Sequence, residues 1–273
     1  FTDQRGERYV IEKFDPGRKP VRQTVAEAVN FLERNGLDQA LGYAATREGE
    51  FLPVYGGGCF QLSRYLDNSG IQRPEYLESS RIGKNFARFL IRLGNAASGI
   101  RQVVRLSEFS IDRYIYQLFQ RMKIHDPEVC SRFVPVLEFL EKRLMPELDS
   151  LPQDFSHGDL HPLNVIWNGE EIRAVIDWEF TGIKPQIYDL ANLVGCAGIE
   201  DPNGLGMGMV MTVIQTVREA GIYHDAGWAV FPEYMIALRF AWLSEWLRNK
   251  DREMIEMEHA YLNLLVDNID IIK

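Results

Sequence analysis

Eight consecutive residues from His157 to Asn164, HGDLHPLN, combine two imidazoles, a carboxylate and an amide, and an apolar run follows them directly. Val165–Trp167 and Ile172–Ile176 have the composition of two short strands, and the Asn-Gly pair between them favours a turn. The chain is therefore expected to fold back on itself just after the polar octet. This hairpin would bring the octet close to Asp177, the residue that follows the second strand.

The length of the hairpin turn decides which residues lie opposite each other. A strict two-residue turn at the Asn-Gly pair would place Asn164 opposite Arg173. We therefore predict a connection longer than two residues, which would place Asn164 and Asp177 side by side at the open end of the hairpin. Their amide and carboxylate oxygens, with the Asp159 carboxylate beside them, are hard ligands of the kind that Mg²⁺ uses when it also binds substrate phosphates. The pattern indicates phosphoryl transfer.

The order His-x-Asp-x-x-x-x-Asn, a short hairpin and then Ile-Asp-Trp-Glu resembles the aminoglycoside phosphotransferase and choline kinase family, small-molecule relatives of the protein kinases. Tyr188–Ala191 is similar to the Asp-Leu-Ala segment of that family. The resemblance implies that Asp159 accepts the proton of a substrate hydroxyl and that Asn164 and Asp177 bind Mg²⁺. It also implies ATP as the phosphoryl donor and a small-molecule hydroxyl as the acceptor.

The same resemblance implies a protein-kinase-like two-lobe fold of the α+β class. Residues 1–67 would form a small nucleotide-binding lobe with an antiparallel sheet, and residues 68–273 a larger, mainly helical lobe for catalysis and substrate binding. The hinge is expected near residues 63–67, where Ser63 and Tyr65 would contact adenine. The small lobe is expected to be incomplete at its start, because only a fragment of the family's first strands and nucleotide-covering loop precedes the first predicted strand.

A lysine and a glutamate near the start of the chain are candidates for holding the nucleotide phosphates. Lys13 lies near the end of the predicted strand Tyr9–Phe14, where the family's phosphate-contacting lysine would lie. Thr24–Arg34 has apolar residues at helical spacing and carries Glu27 in its first turn. We predict that Glu27 holds Lys13 toward the phosphates. The alternative is an ordinary edge lysine and an acid favoured by the helix dipole, with Lys19 as a weaker lysine candidate.

Beyond the hinge, helical periodicity dominates the sequence, which is typical of a mainly helical lobe. The predicted helices include Tyr76–Arg92, Ile111–Met122, Val129–Met145, Met209–Ala220, Pro232–Arg248 and Met254–Ile271. The glycine-rich segment from Gly195 to Gly208 favours a loop. By resemblance, Asp189 would steady the catalytic loop through hydrogen bonds. His157 is expected to support that loop by bonding to its backbone.

The acceptor pocket is expected to form from residues 197–202 and the helices that follow them. Side chains that could contact the acceptor are His161, Glu179, Asp201 and Trp242. Trp242 lies on one helix face with Trp246, a spacing more typical of core than of a ligand site. Because Arg239 lies on the same segment as these residues, the charge of the acceptor stays open. An aminoglycoside, another sugar, a choline-like amino alcohol or homoserine would each fit.

Two other function classes fit parts of the pattern. His157, Asp159 and His161 could be the ligands of a metal-dependent hydrolase, although Pro162 favours an irregular loop and no second histidine cluster accompanies them. A nucleotide-binding protein without catalysis is the third class. Its usual sign, a replaced Asp or Asn in the catalytic loop, is absent here.

Composition limits the partners of this chain. Its 273 residues are 46% hydrophobic with a formal net charge of −9, which argues against a nucleic-acid or anionic-membrane surface and is compatible with a cationic substrate. Three well-separated cysteines without Cys-x-x-Cys spacing are expected to be buried thiols. The sequence shows neither an apolar run long enough to span a membrane nor a signal peptide, so a cytoplasmic enzyme is expected. Its oligomeric state stays open.

Overall fold

The computed structural model describes residues 1–272, in a small lobe built on a three-stranded sheet and a larger, mainly helical lobe. The strands are β1 (Tyr9–Phe14), β2 (Val54–Tyr55), β3 (Gly58–Arg64), β4 (Gln153–Ser156), β5 (Val165–Asn168), β6 (Glu171–Val175) and β7 (Gly182–Pro185). The helices are α1 (Lys19–Arg34), α2 (Ser80–Ala96), α3 (Ile100–Val103), α4 (Ile111–His125), α5 (Pro127–Arg143), α6 (Tyr188–Glu200), α7 (Gly208–Glu219), α8 (Asp225–Ala229), α9 (Phe231–Asn249), α10 (Arg252–Asp267) and α11 (Ile269–Ile272). Within these residues no helix is both long enough and apolar enough to cross a bilayer.

In the small lobe, β3 lies between β1 and β2 in an antiparallel sheet, and α1 packs on it through Ala26, which is buried in one cluster with Cys59 of β3. Helix α1 buries Val25, Val29 and Leu32 on one face, which joins the main hydrophobic core. It begins five residues earlier than the predicted Thr24, because Pro20 lies in its first turn, where a missing N–H costs no helical hydrogen bond. The predicted lobe boundary at residue 67 stays a prediction.

In the large lobe, α6 packs against α9 at the centre and is buried from Tyr188 to Gly198. The prediction of a loop from Gly195 onward is wrong for this first part, because the helix continues to Glu200. A Cβ on Gly198 would collide with the Tyr261 hydroxyl on α10. Gly198 therefore allows α6 to pack closely against α10. Irregular structure begins only at the short 3₁₀ turn of residues 202–206.

The β5–β6 hairpin differs from the prediction at its turn. Asn168 pairs with Glu171, so only two residues connect the strands, and the expected longer connection is absent. The register shifts instead inside the ladder, where Ile166 pairs with Ala174 but Trp167 pairs with Ile172. The two-residue turn lies at residues 169–170, one position beyond the Asn-Gly pair, which would place Asn164 opposite Val175, and the β-bulge shifts the partner of Asn164 by one further residue, to Ile176. At the open end, the Ile176 N–H donates to the Asn164 carbonyl (2.9 Å), which places Asn164 next to Asp177.

Candidate active site

The loop after β4 is fixed to the large lobe by a buried carboxylate on α6. Asp189 accepts hydrogen bonds from the backbone N–H groups of His157 (2.7 Å) and Gly158 (2.9 Å). Burial raises the pKa of Asp189 to about 6, although the two backbone hydrogen bonds and the charge of Lys184 oppose the rise. The first turn of α6 therefore holds the start of the polar octet, the supporting role expected of Asp189.

His157 is fully buried and neutral in this loop. Its Nδ1 accepts from the Asp159 N–H (3.2 Å), so Nε2 carries the proton and donates to the Ile176 carbonyl (2.9 Å). Burial lowers the pKa of His157 to about 4. Because both ring nitrogens are engaged, His157 has no lone pair for a metal. Across residues 1–272 no three His, Cys, Asp or Glu side chains are grouped as metal ligands, so the geometry does not support the metal-hydrolase alternative.

A buried lysine beneath the loop had no assigned role in the sequence interpretation. Lys184 on β7 is 4% exposed and donates from Nζ to the Phe180 carbonyl (2.6 Å). Burial lowers its pKa to about 8, although the charge of Asp189 favours the protonated form. A Cβ on Gly158 would lie against this Nζ and would collide with the Phe180 carbonyl. The sequence did carry a signal for this buried lysine, because Lys184 lies in an otherwise apolar strand just before the Tyr-Asp-Leu-Ala segment.

Asp159 lies at the centre of the loop with two side-chain neighbours. The Asn164 amide donates to its carboxylate Oδ2 (3.0 Å) and to its backbone carbonyl (2.9 Å), and His161 Nε2 lies 3.6 Å from the same Oδ2. Burial alone would raise the pKa of Asp159, but hydrogen bonding and charge from His161, with smaller contributions from His157 and Asn164, lower it overall. The carboxylate is therefore ionised at neutral pH. Its side chain is 22% exposed and can reach a ligand.

Asp177 adds a second carboxylate at the open end of the hairpin, next to Asn164. Its backbone has φ 62°, a left-handed conformation that is uncommon outside glycine and often found at functional sites. Its carboxylate forms no hydrogen bond or ion pair with any described residue. Burial, and then the charges of Asp159 and Glu179, raise its pKa. Because the amide nitrogen of Asn164 is used on Asp159, its Oδ1 is left as an acceptor, and these oxygens suit Mg²⁺.

A cavity of about 500 Å³ lies between the lobes, beside Asp177. Ile166 and Val175 of the hairpin form part of its apolar wall, and residues 63–66 of the small lobe form another side. Its size and its mixed lining are typical of small-ligand sites. Predicted adenine contacts Ser63 and Tyr65 both line it.

The backbone at this hinge is only partly available to a ligand. Ser63 pairs with Val10 in the sheet and bridges to Tyr43 on its other side. The N–H of Tyr65 donates to the Arg8 carbonyl (2.9 Å). Leu66 is the next residue, and its backbone groups make no hydrogen bond with the described chain. Leu66 was not among the predicted adenine contacts, and the hinge near residues 63–67 stays a prediction.

The predicted pair of Lys13 and Glu27 is not formed. Glu27 accepts from Gln23 within α1 (2.8 Å), and the exposed Lys13 side chain lies over Gly58. Because side chains alternate along β1, Glu12 faces the cavity instead of its neighbour Lys13. The prediction placed the cation on the wrong face of the strand.

The four predicted acceptor contacts lie in three different places. His161 packs edge-to-face on Trp242, with ring centroids 5.5 Å apart, so both lie beside Asp159. Glu179 instead lines the interlobe cavity and forms ion pairs with Arg18 and with Arg22.

Asp201 caps the 3₁₀ turn after α6 by accepting from the Asn203 N–H (2.9 Å). Arg239 is buried in a two-point ion pair with Glu258 and is not available to a ligand. Only His161 and Trp242 of the predicted acceptor set therefore lie together next to Asp159.

Curated relatives match part of this chain. A homoserine kinase from Rhodopseudomonas palustris is 26% identical over 156 residues, which are 54% of this chain and 44% of the relative. The chain thus aligns with less than half of the length of that protein.

Solved structures match nearly all of the chain. An amicoumacin kinase in complex with AMP-PNP and Ca²⁺ superposes with a TM-score of 0.69 at 15% identity, covering 96% of this chain and 83% of that one. A choline/ethanolamine kinase family protein from Mesorhizobium loti gives a TM-score of 0.65 at 16% identity, covering 89% and 78%. These similarities confirm the predicted kinase-like two-lobe fold.

A family model described as the phosphotransferase enzyme family, APH, matches residues 1–221. That range includes the cavity, the catalytic loop, the hairpin and the first helix after it. The match confirms the resemblance inferred from the polar octet and the Ile-Asp-Trp-Glu segment. The chain belongs to the phosphotransferase enzyme family.

Proposed function

We propose that this protein transfers the γ-phosphoryl group of ATP to a hydroxyl of a small molecule. The observation that carries the proposal is the arrangement around Asp159. An ionised, partly exposed carboxylate is held by Asn164, and the unpaired carboxylate of Asp177 lies at the same hairpin end. Positioning and electrostatics provide most of the catalysis in such transfers, and one carboxylate is enough to accept the hydroxyl proton.

The residues present fit a nucleotide with a divalent ion. The interlobe cavity offers an apolar wall at the hairpin and a free backbone edge at Leu66, while Asn164 and Asp177 supply oxygen ligands at its catalytic end. Bound Mg²⁺ neutralises phosphate charge during transfer. Asp159 would then accept the proton from an acceptor hydroxyl held on the His161 side of the loop.

The acceptor is a small hydroxyl compound that contacts the half-buried indole of Trp242. Its ring packs against His161 and stacks on Trp246, with centroids 5.7 Å apart, so an edge of this aromatic pair borders the catalytic loop. Homoserine, amino alcohols and aminoglycosides remain the classes to test, since the similar proteins include homoserine kinases and an amicoumacin kinase.

The test is a panel of hydroxyl metabolites assayed for ADP release with Mg-ATP. Wild type should release ADP with at least one acceptor, whereas Asp159→Asn should lose roughly 10²- to 10⁴-fold in turnover and keep its affinity for Mg-ADP. Asp149→Asn, an exposed acid in the large lobe, is the matched control. Equal turnover of Asp159→Asn and wild type would refute the base assignment, and a silent panel with intact Mg-ADP binding would favour a non-catalytic nucleotide binder.

A further inference from the structure

The sheet of the small lobe presents an acid to the cavity where a cation was expected. In the antiparallel pairing of β1 with β3, Glu12 lies opposite Gln61 and Lys13 opposite Phe60, so these two neighbours face opposite sides. Glu12 lines the cavity together with Asp177 and Glu179. Three carboxylates therefore line the cavity in which the proposed function requires a nucleotide polyphosphate to bind. A positively charged side chain that binds the phosphates has to come from an element other than β1.

Arg22 on α1 is that cation. Its side chain is 12% exposed, and its guanidinium carbon lies 4.2 Å from the centroid of the Phe14 ring, a stacking that fixes the plane of the group. The other arginine of the cavity lining, Arg64, is 59% exposed and pairs with Glu33 away from Asp177. Arg22 lines the cavity together with Asp177, and its ion pair with Glu179, two residues after Asp177, places it near the catalytic end.

The guanidinium of Arg22 retains unused hydrogen-bond donors. Nη2 donates to Glu179 Oε2 (2.8 Å). Nε is buried without a partner, and Nη1 makes no hydrogen bond with the described residues. Orphaned buried donors are rare in native proteins. Gln61, directly opposite Glu12, is 1% exposed and also has both amide atoms unpaired.

We propose that Arg22 is the residue that binds the nucleotide phosphates in this chain, in place of a strand lysine, and that Glu179 holds it in position before the nucleotide binds. The inference rests on the proposed function. A planar guanidinium suits the role because it can donate two parallel hydrogen bonds to phosphate oxygens. Glu179 occupies Nη2 alone, so Nε and Nη1 stay available to phosphate, and phosphate can also displace the carboxylate from Nη2, which makes the ion pair a placeholder as well as a support.

The test is the affinity for ADP and for adenosine, measured by calorimetry in EDTA so that metal ligation is removed from the comparison. Arg22→Gln should weaken ADP binding roughly 10- to 100-fold and leave adenosine binding within about twofold, because only ADP carries phosphates. Arg22→Lys should recover only part of the loss. Arg47→Gln, an exposed arginine of the same lobe, should match wild type.

The rival residue is tested in the same assay. If Lys13→Gln weakens ADP binding and Arg22→Gln does not, the inference is overturned. Glu179→Gln provides a check that does not depend on the folding of the Arg22 variants. Removal of the negative charge should leave the affinity for ADP equal to or tighter than that of wild type. A weaker affinity for ADP with unchanged affinity for adenosine would count against the placeholder role. A wild-type protein that binds neither ADP nor ATP would overturn the proposed function and this inference with it, whereas normal ADP binding by Arg22→Gln overturns this inference alone.

Discussion

Asn164 donates both to the Asp159 carboxylate (3.0 Å) and to the Asp159 backbone carbonyl (2.9 Å). One amide therefore fixes the side chain and the main chain of the residue proposed as catalytic base. The same bonds turn the amide oxygen of Asn164 away from Asp159. The proposed base and a proposed metal ligand thus lie on one rigid unit, the segment 159–164 of the octet.

Removal of either proposed metal ligand should change metal dependence. Asn164→Ala and Asp177→Asn should each raise the Mg²⁺ concentration needed for half-maximal ADP binding by at least about tenfold, because the first variant removes an oxygen ligand and the second removes the negative charge of a carboxylate ligand. Titration of Mg²⁺ at fixed ADP measures this effect. Asn168→Ala, at the exposed tip of the same hairpin, is the control, and an unchanged Mg²⁺ requirement in both ligand variants would contradict the assignment.

His157 should make the fold sensitive to acid. Its pKa falls from 6.5 to about 4 on burial, so its contribution to stability is full above pH 6.5 and is lost as pH falls toward 4. His157→Gln removes this dependence. The difference in unfolding free energy between wild type and the variant should shrink by up to about 3 kcal/mol between pH 7 and pH 4, measured by urea denaturation.

The controls for this pH dependence are an exposed histidine and a buried acid. His125→Gln should not alter the pH profile, because this side chain is exposed. Asp189 changes stability in the opposite direction, because its pKa is raised to about 6 in the folded protein. Its contribution to the free energy of unfolding is full below its ordinary pKa of 3.8 and is lost as pH rises through 6. A difference between wild type and His157→Gln that stays constant from pH 7 to pH 4 would contradict the prediction.

Gly158 should not tolerate a side chain. Its φ is +89°, and a Cβ there would collide with the Phe180 carbonyl. Gly158→Ala should destabilise the protein by at least about 2 kcal/mol, from the left-handed backbone and the displaced carbonyl. Gly94→Ala is the matched control, since this exposed helical glycine has open space and alanine there should stabilise by up to about 1 kcal/mol. Calorimetric unfolding measures both, and equal effects would contradict the steric explanation.

The buried ion pair between α9 and α10 should behave as a unit. Arg239 bonds to Glu258 through two hydrogen bonds of 2.6 and 2.7 Å. Arg239→Met should cost about 3–5 kcal/mol, because it leaves a buried carboxylate unpaired, and the double variant Arg239→Met/Glu258→Leu should recover much of that loss. The exposed pair of Arg132 and Glu256 is the comparison, where Arg132→Met should cost at most about 1 kcal/mol.

Denaturant titration of these variants gives the free energies of unfolding. If the double variant were as unstable as the two single losses combined, the pair would not be acting as a unit. A separate measurement of nucleotide affinity tests whether Arg239 is only structural, because a structural arginine should leave that affinity unchanged.

Sequence reasoning succeeded where the geometry is local. The spacing of Asp159 and Asn164 lies within one loop, and Asp177 follows a hairpin that the chain itself specifies, so short-range rules were enough to bring them together. The support from Asp189 followed from the family segment that contains it.

It failed where a side chain's surroundings depend on distant residues. Whether Glu12 or Lys13 faces the cavity depends on how β1 pairs with β3, some fifty residues away along the chain, and a shift of one residue exchanges the two faces. Gly198 was predicted to lie in a loop because its packing partner, Tyr261, is remote in sequence, so the reason for a glycine inside a helix was not visible locally. The turn was misjudged because its position and an internal bulge both shift the register, and the sequence pattern did not distinguish these from a longer loop.

The bulge in the β5–β6 hairpin also separates two attachments. Toward the turn, Glu170 accepts a hydrogen bond from Ser79 at the cap of α2, and its carbonyl accepts from Asn85 (2.9 Å). Toward the open end, the ladder continues into the catalytic loop and Asp177. The hairpin is therefore held at both ends, by α2 at its turn and by the catalytic loop at its open end, and the bulge sets the register that brings the proposed base and the proposed metal ligands together.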